Sequence, residues 1–170
     1  VSQWASAFAE AGLGVSKSLG DLAGPMLFAV LMGTARAIYG KFGHKIDLEK
    51  FMLFSSVLCI GSYLLTALSP NPVFSLIGCG ICGFSVGILW PGTFSLACAG
   101  IKGGGTLMFA LFALAGDIGC ATGPAVVGNA AELLGGSLDL GILCGIIFPV
   151  LMTGGLLLYR LSKKRAEEKP

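Results

Sequence analysis

Charge is what this chain has least of. Lys, Arg, Asp and Glu together make up 12% of its 170 residues, about half the share of an ordinary soluble domain. A soluble protein this poor in charge would lack the polar surface to stay dissolved. The net charge is only +2, too small for the basic footprint that nucleic-acid binding needs. Histidine is nearly absent: His44 is the single one, and it falls in a polar connection where a solvated role suffices. With one histidine, no paired acids and no nucleophile beside a base, the chain lacks a constellation for catalysis or for a metal. The expectation is a protein that is not an enzyme and uses no metal and no cofactor.

What fills the space is apolar. Hydrophobic residues reach 55% and the mean hydropathy is +0.87. Glycine is abundant, at 27 residues, which in a chain of long apolar runs suits membrane helices packed through small side chains. The six cysteines all lie inside those runs, so a disulfide framework is not expected. Cys79 and Cys82 form a C-x-x-C with no second pair and read as small packing residues.

A spanning helix needs roughly 20 apolar residues. Five runs meet that need, at about 19–39, 51–68, 73–99, 106–131 and 140–161. Residues 1–11 look like the end of a sixth span, and the chain is expected to be a piece of a longer protein. The connections, such as "KFGHKIDLEK" and "SPNP", are short and polar. Backbone in lipid is satisfied only in helices or closed barrels, and these runs are too long and continuous for barrel strands. The expected fold is therefore all-α: a polytopic membrane bundle over residues 1–161 with a charged tail at 162–170. If the spans alternate, ten of the eleven basic residues fall on one face. Excess Lys and Arg mark the cytoplasmic side, which puts the C-terminus in the cytoplasm. The expected setting is the bacterial plasma (inner) membrane, with the lipid bilayer as the first partner.

Asp117 stands alone in the apolar stretch "ALAGDIGCATGPAVVG". An acid at mid-membrane costs about 2.5–3.5 kcal/mol, so it must face protein or water. It reads either as a proton-coupling or substrate-binding carboxylate, or as a structural acid bonded to a neighbouring helix. Gly116, Gly119 and Gly123 would let another backbone approach, with Gly119 and Gly123 as the tightest pair, and Pro124 permits a kink. "GDLAGP" at 20–25 echoes "GDIGCATGP" at 116–124. The echo falls in the middle helices of two expected triplets, the pattern of inverted repeats. Asp21 also reads as a capping-box partner of Ser18. In residues 1–11, Gln3, Ser6 or Ala7, and Glu10 make a polar stripe beside Trp4. Gln3 suits hydrogen bonding to a solute, and Trp4 suits either ring stacking or the interfacial belt. Glu10 reads as solvated. In the third span, Gly80, Gly83 and Gly87 line a small-residue seam, and "GILWPG" at 87–92 joins an aromatic to a kink, where Pro91 breaks the backbone pattern. Trp90 faces either a cavity or lipid.

With these residues placed, the chain resembles the C-terminal half of a major facilitator superfamily transporter, from late helix seven to helix twelve. The resemblance rests on "MGTARAIYGK", "ILWPGTFSLA", "GDIGCATGP" and the six-helix count with the basic loops inside. "SQWASAFAE" looks like the fucose-permease-like sugar branch. The family's loop signature, G-x-x-x-D-x-x-G-R/K, is matched by Gly33, Gly40 and Lys41, while Ala37 stands where its Asp should be. Arg36 is left as a contact to a helix end. The resemblance implies alternating access of a small polar solute, a sugar in the first instance, coupled to protons. Gln3, Trp4 and Trp90 would bind solute and Asp117 would couple the proton. The partners it implies are the solute, the proton and a missing N-terminal six-helix half. The competing reading is a drug or metabolite exporter of the same superfamily that exchanges its substrate for protons.

Overall fold

The computed structural model describes residues 17–69, 71–101 and 103–167, apart from the side chains of 17–23, 72, 166 and 167. Among the described residues every regular element is a helix. They are α1 (Lys17–Phe42), α2 (Leu48–Leu68), α3 (Pro72–Val86), α4 (Leu89–Gly100), α5 (Gly105–Leu133), α6 (Leu138–Cys144) and α7 (Ile147–Glu167). Four helical segments are long and apolar enough to cross a membrane: Leu48–Leu68, Val73–Gly100, Gly105–Leu133 and Leu138–Arg165. α1 has the length, at 26 residues, but Asp21 and Arg36 bracket its apolar stretch and it is not one of the four.

Local chemistry sets the helix ends. Asp47 caps α2: its carboxylate accepts from the N–H groups of Glu49 at 3.0 Å and Lys50 at 3.3 Å. Asn71 caps α3 in the same way, accepting from Val73 at 2.9 Å, with Pro72 as the first helical residue. α5 ends where Gly135 and Gly136 take positive φ, 79° and 81°. Gly136 N–H bonds back to Ala131 and Gly135 N–H to Glu132, the double bond of a glycine-terminated helix.

The Asp47 cap makes a test. The Lys50 backbone N–H, and then the Lys50 charge, hold its carboxyl below the ordinary value of 3.8. A carboxyl depressed on folding stabilises above its unfolded value, and that help is lost as pH falls through the folded one. Thermal unfolding followed between about pH 5 and 3 should show this loss in wild type. Asp47→Asn, which caps without titrating, should flatten that part of the profile.

α2 is the hub. It packs against α3, α4, α6 and α7, while α1 packs on α3 and α5 packs on α6. The buried face of α2 is notably hydroxylic: Ser55, Ser56, Ser62 and Thr66 are all within 1% of full burial. Ser56 Oγ meets Thr153 Oγ1 and donates to the Pro149 carbonyl at 3.3 Å, joining α2 to α7. Ser75 Oγ donates to the Thr66 carbonyl at 3.1 Å, joining α3 to α2. Interhelical hydroxyl bonds of this kind hold helices where water offers no hydrophobic drive.

The expected break at Pro91 appears four residues upstream. The run 72–100 is interrupted at Gly87 and Ile88. A proline lacks the N–H that would bond the carbonyl four residues back, and for Pro91 that carbonyl is Gly87. The last span breaks at Gly145 and Ile146, four residues before Pro149. Pro124 has no such effect, and α5 runs unbroken through it.

Candidate functional site

A cavity of about 480 Å³ opens where the two broken helices meet α2 and α5. α2 contributes Cys59 and Tyr63; the α3–α4 break contributes Val86, Leu89, Trp90 and Thr93. α5 contributes Phe112, Ala115 and Gly116, and α7 contributes Phe148, Pro149 and Met152. Spacings of three and four put the α5 residues on one helical face. A second cavity, about 470 Å³, lies between α2, α4 and α7 and shares Thr93 and Met152 with the first.

Trp90 stands in the wall of the first cavity. Its ring lies against Gly116, where any Cβ would collide with it. Phe94 meets Trp90 edge-on at 5.0 Å between ring centroids, stacks on Phe109 at 5.6 Å and touches Phe112 at 5.3 Å. This aromatic cluster ties α4 to α5, each pair adding about 0.5–1.5 kcal/mol.

Asp117 is the next residue along and points elsewhere. It is exposed near the midpoint of α5 and does not line the cavity. Among the described residues no ion pair or side-chain hydrogen bond reaches it. Its helix is the least covered of the four membrane-length segments: only 6% of its apolar window is buried, against 50% for Val73–Gly100. Gly119 and Gly123, expected to admit a neighbouring backbone, have open space where a Cβ would stand. The close approach to α5 occurs one turn beyond Gly123. A Cβ on Gly141 of α6 would come within 2.6 Å of the Val127 carbonyl and 2.8 Å of Ala131 Cβ. Gly141 lets α6 lie there, so the close backbone approach to α5 comes near its end, while next to Asp117 the contact is the Trp90 ring on Gly116.

The loop-signature residues divide. Gly33 and Gly40 are exposed with open space around them, and Lys41 lies over the Phe42 ring at 5.5 Å. Arg36 crosses to another helix. Its Nε donates to the Gly87 carbonyl at 3.0 Å, the carbonyl that Pro91 leaves without its helical donor. The seam formed by Gly80, Gly83 and Gly87 faces α1. A Cβ at Gly80 would come 2.8 Å from Leu31 Cδ1, one at Gly87 2.8 Å from the Met32 carbonyl, and one at Gly83 would strike the Phe28 backbone.

Gln3 and Trp4 lie outside the described residues, as do Ser6, Ala7 and Glu10. The side chains of Ser18 and Asp21 do too. Cys59, Cys79 and Cys82 are buried and free, and Cys98, Cys120 and Cys144 are exposed and free. No group of three metal-ligating side chains occurs among the described residues. The buried hydroxyls of α2 were not singled out by the sequence pattern. Their one signal there is the Ser55–Ser56 pair inside an apolar run. No family model, no curated protein and no solved structure matches the chain.

Proposed function

We propose that the chain is the C-terminal six-helix half of a secondary active transporter of the major facilitator superfamily. It moves a small polar solute, a sugar in the first instance, by alternating access and with protons as the coupling ion. The observation that carries the reading is Asp117, an exposed acid at the midpoint of a membrane-length helix, with no partner among the described residues. An acid there needs protein or water opposite it. The uncovered length of α5 leaves that surface for the N-terminal half, with the solute path between the two. In this reading Asp117 couples the proton, and Gln3, Trp4 and Trp90 contact the solute. Arg36 with Gly33, Gly40 and Lys41 governs the end of the bundle near the 43–47 turn. No step is enzymatic. The Lys and Arg asymmetry supports residues 162–170 lying in the cytoplasm, and the proposed setting is the plasma membrane of a bacterium.

One observation favours the second reading, an exporter of amphipathic molecules that exchanges them for protons. The walls of the cavity beside Trp90 are aromatic and apolar, with Tyr63, Phe112, Phe148 and Met152. Such walls suit a molecule with an apolar body.

The test reconstitutes the intact transporter in liposomes that hold a pH-sensitive dye. Sugars are added outside. Symport predicts that one of them acidifies the interior and that Asp117→Asn abolishes the signal. If wild type and Asp117→Asn behave alike, Asp117 is structural. If no sugar moves protons but amphipathic molecules do, the exporter reading replaces the first.

A further inference from the structure

α7 changes character as it ends. Leu157 and Leu161 are exposed and apolar, while Lys163, Lys164 and Arg165 are exposed and basic. A helix passing from hydrocarbon into the headgroup layer has this profile. At that level a cavity of about 560 Å³ opens between α7 and the first turn of α2. It is lined by Glu49, Leu157, Arg160, Leu161, Lys163 and Lys164. Glu49 pairs with Lys163 Nζ and stands 4.0 Å from Arg160 Nε. Its side chain is 17% exposed, against 39% for Arg160 and 50% for Lys163. The carboxylate therefore forms the floor and the cations the rim. The lining thus brings three cations, Arg160, Lys163 and Lys164, together around the Glu49 carboxylate.

We propose that this cavity binds the phosphate headgroup of an anionic phospholipid. The phosphodiester lies between Arg160 and Lys164, where a planar guanidinium and an ammonium both suit phosphate oxygens. The acyl chains lie along Leu157 and Leu161. Glu49 sets the strength of the site by holding Lys163 and Arg160 together while offsetting one of their charges. A free phosphate would meet the same cations but gain nothing from the two leucines. The proposal does not depend on the transport reading, because the cavity lies at the end of α7 and shares no residue with the cavity beside Trp90.

Native mass spectrometry of the full chain tests it, in detergent with equal phosphatidylglycerol and phosphatidylcholine. Wild type should retain phosphatidylglycerol over phosphatidylcholine. A surface cation contributes enough that Arg160→Gln and Lys164→Gln should each lower that retention about fivefold. Glu49→Gln should raise it. The opposite signs at residues 49 and 164 separate the site from loss of folding, which would lower both. Equal retention of the two lipids by wild type overturns the proposal. So does full retention of phosphatidylglycerol by the Arg160 and Lys164 variants. Inorganic phosphate that displaces the lipid at matched concentration would reassign the cations to a soluble anion and overturn the lipid source.

Discussion

Gly83→Val should prevent α1 from docking on α3 and cost the bundle most of its stability. Overpacking a tight site costs about 1–3 kcal/mol, and more where nothing can move aside. At Gly83 the obstacle is backbone: a Cβ would come 2.8 Å from Phe28 Cα and 2.9 Å from its carbonyl carbon. A side chain could swing away, but the middle of α1 cannot without losing Gly80 and Gly87 from the same seam. Gly119→Ala should do the reverse. It stands in open space on α5, and glycine inside a helix is worse than alanine by about 0.5–1 kcal/mol. Thermal unfolding of both variants in one detergent gives the comparison. A Gly83→Val protein that melts with wild type would mean that α1 and α3 are not held by this seam.

Arg36→Met should destabilise by about 1–3 kcal/mol, the cost of leaving a carbonyl without a donor. The carbonyl is that of Gly87, which Pro91 deprives of its helical bond and which Arg36 Nε reaches at 3.0 Å. The sharper form of the prediction is a double-mutant cycle. Pro91→Ala supplies a backbone N–H four residues after Gly87. In that background Arg36→Met should cost little, so the two changes should couple by about 1 kcal/mol or more. Equal cost in both backgrounds would show that Arg36 is not the substitute donor.

The apolar runs were legible because lipid-length helices need uninterrupted apolar residues, and the described helices follow them closely. The seam at Gly80, Gly83 and Gly87 was legible too, since glycines at helical spacing have few other uses. Which side of each helix is covered was not. In a chain this apolar both faces of a helix are hydrophobic, so periodicity does not distinguish a neighbour from lipid. That is why Gly119 and Gly123 read as a contact and are open, while Gly141 carries the approach to α5. The break in the 72–100 run falls inside "GILWPG", as its proline implies, but at its first residues. Proline disrupts the bond to the carbonyl four residues before it, so the helix opens at Gly87 and not at Pro91. Pro149 follows the same rule at Gly145, yet Pro124 leaves α5 continuous, so the rule says where a helix opens and not whether it does. Asp117 was legible as an anomaly, but its direction depends on helix rotation, which the sequence around it leaves unconstrained.

The hydroxyl face of α2 also sets a schedule for biogenesis. Ser56 bonds to Pro149 and Thr153, which follow it by 93 and 97 residues. At ribosomal speeds of about 5–20 residues per second, those partners are made roughly 5–20 s after Ser56. Throughout that wait Ser56 stands without its α7 partners, while Thr66, farther along the same helix, is already met by Ser75 of α3. The insertion machinery or transient water must shelter Ser56 until α7 arrives to close that side of α2.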